Sequence, residues 1–229
     1  TATNNFLAIG ITSGNNVTLV DTNGIDLAAS TISGTLNVTA GGSVTDSGAL
    51  VVTGTTTIAA GSGNDITLNT ATNNFSTIGI TSGNNVTLVD TNAIDLAAST
   101  ISGTLSVTAG GSITDSGNLA VTGNAAFTVP DTFSITLDRA GNNFGGTLTF
   151  NASSGTIANV TVVDTTGVDL QALTLSGNLS VTAGGAVTDS GALVISGTTT
   201  VAAGSGNDIT LDTATNNFLA IGITSGNNV

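Results

Sequence analysis

Self-repetition restricts what this chain can fold into more than any other property. Thr1 to Phe6 reads TATNNF, and the hexapeptide returns at Thr70 to Phe75, in diverged form ending at Phe144, and at Thr213 to Phe218. The phenylalanines that close it, Phe6, Phe75, Phe144 and Phe218, are separated by steps of 69, 69 and 74. Asp21, Asp90 and Asp164 keep these steps, as do Asp46, Asp115 and Asp189 in a shared TDSG. Internal repeats therefore run over 1–69, 70–138 and 139–212, with a partial copy at 213–229, all within one continuous segment. Residues 1–17 are also identical to residues 213–229. That identity implies a 212-residue unit recurring head to tail in a longer parent. Repeats of this kind bury their apolar faces only by stacking on their neighbours, so the architecture must be quasi-one-dimensional.

A finer period lies inside the long one. Glycines that precede alternating apolar and Thr/Ser/Asn residues stand at Gly14, Gly34, Gly54, Gly83, Gly103, Gly123, Gly155, Gly177, Gly197 and Gly226. Most of these glycines follow one another at steps of 20, and the wider steps reach 29 to 32. Each 20-residue interval holds three short pieces, for example NVTLVD, IDLAA and STIS. Their apolar residues alternate at period two and Val, Ile and Thr dominate, which reads as β-strand. Helix is disfavoured by 31 glycines and by the absence of Glu and Lys.

The predicted fold is all-β: a parallel β-solenoid of triangular coils, about 20 residues each with wider coils of 29–32. Val17 should lie over Leu36 over Thr56, and Leu19 over Val38 over Ile58. Nine full coils at a strand spacing of about 4.8 Å would rise about 43 Å. The coil glycines are expected to supply positive φ at corners. Phe6, Phe75, Phe144 and Phe218 are expected in the core of the wide coils, with Phe127, Phe133 and Phe150 clustered nearby. Each open coil end is an unpaired β edge, so the partners expected are neighbouring solenoid segments or further copies, end to end.

Composition then removes most function classes. All fourteen acids are Asp, the one cation is Arg139, and the formal net charge is −13. Charged residues are 7% of the chain, against about 25% in an ordinary soluble domain. With no His or Cys there is no Ser-His-Asp or Cys-His nucleophile, no His/Cys zinc site and no disulfide. The charge balance excludes nucleic acid, whose phosphates need Lys and Arg. No apolar run approaches the roughly 18 residues of a membrane helix, so no membrane insertion is expected of this segment. The chain opens at Thr1 in mid-pattern, and no secretory leader is read from it.

The Gly-started coils, such as GTLNVTAGGSVTDSGALVVT at Gly34 to Thr53, resemble the repeat regions of large secreted bacterial exoproteins of the filamentous-haemagglutinin type. These include two-partner-secretion adhesins and related β-strand-repeat surface proteins. The resemblance covers the whole chain and rests on pattern. It implies a right-handed β-helix, an extracellular or bacterial cell-surface location, and a non-catalytic stalk or fibre serving attachment or biofilm. The alternative within the same family is an adhesin segment binding host or matrix glycans through wide-coil loops, such as Asn69 to Asn74 and Arg139 to Ser154.

Counted from each coil glycine, Asp26, Asp46, Asp95, Asp115 and Asp189 fall twelve positions in, and Asp65 and Asp208 eleven in. Stacked at about 4.8 Å they would form an aspartate row whose mutual repulsion raises pKa values or draws in Ca²⁺. The bland reading has each carboxylate splayed at a turn, accepting backbone N–H bonds. GSGND at Gly61 to Asp65 and Gly204 to Asp208 partly matches a calcium-binding nonapeptide, without its tandem period. No other cofactor is implied. Parallel β-helices also include polysaccharide-active enzymes, for which two carboxylates about 5 to 9 Å apart would be needed. Recurrence of Asp in most coils and the lack of Trp and Tyr weigh against that reading.

Overall fold

The computed structural model describes residues 4–229, so the first three residues of the opening TATNNF lie outside it. Among the described residues every regular element is a strand. Short strands such as Ile25–Leu27 alternate along the chain with longer ones such as Val17–Asp21. All their pairings are parallel, and they join segments one lap apart. The chain is a parallel β-solenoid.

Register follows the inward alternation. Val17 pairs with Leu36 and Leu36 with Thr56, while Leu19 pairs with Val38 and Val38 with Ile58, as the periodicity predicts. In the strand Leu36–Ala40, Leu36, Val38 and Ala40 are buried and Asn37 and Thr39 exposed. The inward residues of successive laps form one continuous core that runs the length of the molecule.

Two sheets carry the laps, one of 11 strands and one of 13, and a shorter third side completes the triangle. Eleven strands in a single column correspond to about eleven laps, two more than the glycine markers suggest. The difference lies in the wide intervals. Thr56 already meets Ile78 one lap later, so the interval from Gly54 to Gly83 spans a lap plus an additional stretch of strand. That stretch belongs to Asn74–Ser82, which turns a corner within its length and pairs with Val51 to Ala59 of the preceding lap.

The added stretch changes the phase of everything after it. Val17–Asp21 (VTLVD) lies in the 13-stranded sheet, and its identical copy Val86–Asp90 lies in the 11-stranded sheet. The third copy, Val160–Asp164, is back in the 13-stranded sheet. Ile25–Leu27 and Ile94–Leu96, both IDL, make the opposite exchange. Each repeat therefore advances three and a half laps, and successive repeats are turned half a lap about the axis. The third side moves accordingly. It follows the 11-stranded sheet at Ser30–Ile32 and the 13-stranded sheet at Ser99–Ile101.

Most coil glycines have a reason other than the expected one. Of the ten, only Gly155 has positive φ, and the other positive φ values fall at Gly61, Gly204 and Thr132. At Gly123 an added Cβ would stand 2.6 Å from the Gly103 carbonyl oxygen of the preceding lap, and at Gly103 it would stand 2.5 Å from Asn85 Oδ1. Laps approach closest at this corner, and a hydrogen is all that fits.

The aromatic residues follow expectation with one exception. Phe75 and Phe144 are buried, and Phe6 and Phe218 pack partly buried against the core. Phe127 lies 6.1 Å from Phe144, edge on, and 6.2 Å from Phe150, stacked. Phe133 does not join them. It is 39% exposed, because Thr132 beside it takes φ 65° and carries the chain outward around the corner.

Candidate functional site

The carboxylates are the chemically distinctive groups, and the fold sorts them into repeated sets. Asp21, Asp90 and Asp164 end the first strand of each repeat with the side chain buried. Asp21 accepts the Phe6 amide at 2.5 Å and the Asn23 amide at 2.8 Å. Asp90 does the same for Phe75 at 2.6 Å and Asn92 at 2.9 Å. One carboxylate thus closes its own turn and ties it to the previous TNNF segment. Burial pushes the Asp90 carboxyl above its usual value of 3.8, with the two backbone bonds opposing the rise.

Asp26, Asp95 and Asp169 point outward from the short strands. Asp26 accepts the hydroxyls of Thr45, at 3.1 Å, and Ser47, one lap on. Asp95 takes Thr114 at 3.2 Å and Ser116 at 2.5 Å, and Asp169 takes Thr188 at 3.1 Å and Ser190 at 2.8 Å.

Asp46, Asp115 and Asp189 organise the wide turns. Asp46 accepts the amides of Asn69 at 2.9 Å and Thr70 at 3.1 Å, and the Asn73 side-chain amide at 2.6 Å. Asn73, fully buried, presents its Oδ1 to the Leu50 amide at 2.8 Å. The Asp115, Asn142, Leu119 and Asp189, Asn216, Leu193 sets repeat the relay. Arg139, the single cation, donates its Nε to the Asp115 carbonyl at 3.2 Å.

Asp65 and Asp208 complete the series at the GSGND turns. Asp65 accepts the Asn85 amide at 3.0 Å and the side chains of Asn84 and Asn85, and Asp208 accepts the corresponding groups of Asn227 and Asn228. The backbone bond, followed by the side-chain bonds, holds both carboxyls below the usual 3.8. Within the turn, Asn64 donates to the Ala60 carbonyl at 2.7 Å.

The aspartate row does not form. Asp26 is opposite Thr45 and Asp46 opposite Leu27, so the two carboxylates leave their strands on opposite faces. Asp95 and Asp115 repeat the offset in the other sheet, turned by half a lap. Among the described residues no three acids come together as a group fit to hold a metal ion. The carboxylates instead accept hydrogen bonds, mostly from the neighbouring lap, as the splayed reading anticipates.

A layer of asparagines joins them. Asn16 Oδ1 accepts the Thr35 amide at 3.0 Å, Asn85 the Thr104 amide at 3.1 Å and Asn178 the Thr198 amide at 2.8 Å. Together with Asn73, these caps are the site residues that composition alone does not single out. Their signal is the fixed place of Asn beside each Gly corner and in each TNNF. In chemical terms the network satisfies main-chain donors at corners where neighbouring strands do not reach, without a cation.

Comparison with known families gives one match. The family described as repeats of unknown function (DUF5649) matches residues 14–82, 83–151 and 157–225. Two of these begin at coil glycines, and the residues between the second and third fall at the irregular corner around Gly155. No curated protein and no solved structure matches the chain.

Proposed function

The chain belongs to the DUF5649 repeat family, and from that premise we propose that it is a structural stalk or fibre segment of a large bacterial surface adhesin, extracellular and without catalysis. The observation that carries the reading is the unbroken axial ladder. Two sheets of 11 and 13 parallel strands run through all three repeats, so pulling along the axis loads main-chain hydrogen bonds of every lap together. Corners capped by Asp and Asn keep those laps in register, and each repeat adds about 17 Å of length, three and a half laps at about 4.8 Å. Extension is thus set by repeat number, the property a spacer needs.

The test is deletion of residues 83–156, which joins Ser82 to Ile157, from the protein displayed on its cell. A stalk loses about 17 Å in electron micrographs and keeps its attachment activity per molecule. Loss of attachment with the remaining solenoid intact would sink the reading.

One observation favours a second reading, the glycan-binding segment. Phe133 is the exposed aromatic of the irregular corner, and the adjacent Asp131 amide faces Ser154 Oγ at 3.5 Å. Glycan-array signal that disappears in Phe133→Ala, with the fold retained, would establish it over the spacer.

A further inference from the structure

The 13-stranded sheet ends on a lap whose core is uncovered. Ile209, Leu211, Phe218, Ile221, Ile223 and Val229 line a groove of 270 Å³. Leu219 is 75%, Ile221 46% and Val229 78% exposed. The equivalent residues two repeats earlier, Ile66, Leu68, Phe75, Ile78, Ile80 and Val86, are all buried. They are covered by the lap that begins at Leu88, with Ala97 N–H donating to the Ile78 carbonyl at 2.8 Å and Val86 N–H to the Thr104 carbonyl at 2.8 Å. The groove is therefore a core position with one lap still to be laid on it.

A lap that fits is present in the chain. Residues 213–229 are identical to residues 1–17, and the described part of that first segment lies on residues 22–36. Ala28 N–H donates to the Ile9 carbonyl at 2.9 Å, Thr31 N–H to Ile11 at 2.8 Å and Val17 N–H to Thr35 at 2.8 Å. Leu19, Ile25, Leu27 and Ile32 supply the apolar residues of that lap.

We infer that residues 213–229 are a seat for the lap 18–36 of a second copy of this chain, taken by exchange for that copy's own residues 1–17. The exchange deepens the stalk reading and rests on it. Because donor and displaced segment have one sequence, every bond to residues 22–36 is re-formed unchanged. The displaced segment has a lap on one side only, whereas residues 217–225 also pair with Val194 to Ala202, so exchange leaves the shared segment covered on both sides. Blunt stacking of the two ends would instead set like sequence on like, a pairing found nowhere among the described laps. Ala8 pairs with Asp26 in the 11-stranded sheet while Ala220 pairs with Thr198 in the 13-stranded sheet. Successive copies are therefore related by a half-turn and an axial rise of about 50 Å.

The chain has no cysteine, so engineered pairs report directly. In Asp26→Cys/Ala220→Cys the two thiols sit at opposite ends of one molecule and can join only between copies. Mild oxidation should convert monomer into a ladder of disulfide-linked multimers, visible as filaments with a repeat of about 50 Å. Ala8→Cys/Asp26→Cys should close within one chain and run as monomer, which verifies that a chain carrying Asp26→Cys still folds. Multimers formed by Ala8→Cys/Ala220→Cys and not by Asp26→Cys/Ala220→Cys would mean blunt stacking and overturn the exchange. A monomeric Asp26→Cys/Ala220→Cys protein would overturn it too, leaving the stalk reading to its own test of length per repeat.

Discussion

Asn73 Nδ2 donates to Asp46 Oδ2 at 2.6 Å, and Asn73 Oδ1 accepts the Leu50 amide at 2.8 Å. One buried side chain thus bridges a carboxylate and a main-chain donor that begins a strand of the neighbouring lap. Asn73→Ala leaves both without a partner. The expected loss is about 2–4 kcal/mol, because buried polar groups that lose a partner cost more than the bond contributed. Asp46→Ala should be nearly as harmful, and the double variant little worse than either single one. Urea titration of the four proteins measures the coupling, and simple additivity would show that the relay does not act as a unit.

Thr56 and Thr199 occupy equivalent, fully buried positions, and neither hydroxyl has a hydrogen-bond partner. The second repeat places Ala125 there, opposite Leu105. Thr56→Val keeps the shape and removes an unsatisfied group, so it should stabilise by about 1–2 kcal/mol. A lower unfolding midpoint in Thr56→Val would show that the hydroxyl is satisfied after all.

Three glycines separate crowding from conformation. Gly123→Ala drives a methyl against the Gly103 carbonyl and should cost about 1–3 kcal/mol. Gly61→Ala has room but sits at φ 87° and should also destabilise. Gly63 has neither constraint, and Gly63→Ala should be neutral or add up to about 1 kcal/mol by restricting the unfolded chain. Thermal midpoints rank the three, and equal effects would refute the distinction.

Asp90 gives stability a sign with pH. Its folded carboxyl titrates above the usual 3.8 because burial outweighs the bonds from Phe75 and Asn92. Between 3.8 and that raised value the folded state holds more protons than the unfolded one, so this group's contribution falls as pH rises through the window. Asp65 and Asp208, held low, act oppositely: their contribution is present above 3.8 and is lost on acidification below it. Unfolding followed from about pH 3 to 7 should show wild type losing stability relative to Asp90→Asn as pH rises past 3.8. A parallel pair of curves would exclude Asp90 as the source.

Much of the lap architecture was readable from residues alone. The alternation that stacks Val17, Leu36 and Thr56 is local, and one face of each strand must be apolar for a lap to bury anything. The half-turn was not readable, because VTLVD packs equally well in either sheet and nothing in its sequence marks which. The glycine spacing merges a full lap with the extra stretch of Asn74–Ser82. Counting from glycines also brought Asp26 and Asp46 to one position, although a single-residue offset in register puts them on opposite faces. Asn73 escaped notice because a buried amide in a turn looks, in sequence, like any other turn asparagine.

The half-lap advance makes parity a property of the molecule. Whatever follows an even count of repeats faces the same way as whatever precedes the first, and an odd count reverses it. Loss or gain of one repeat by recombination between these near-identical segments would therefore change more than reach: it would turn the distal part of the protein to look the other way.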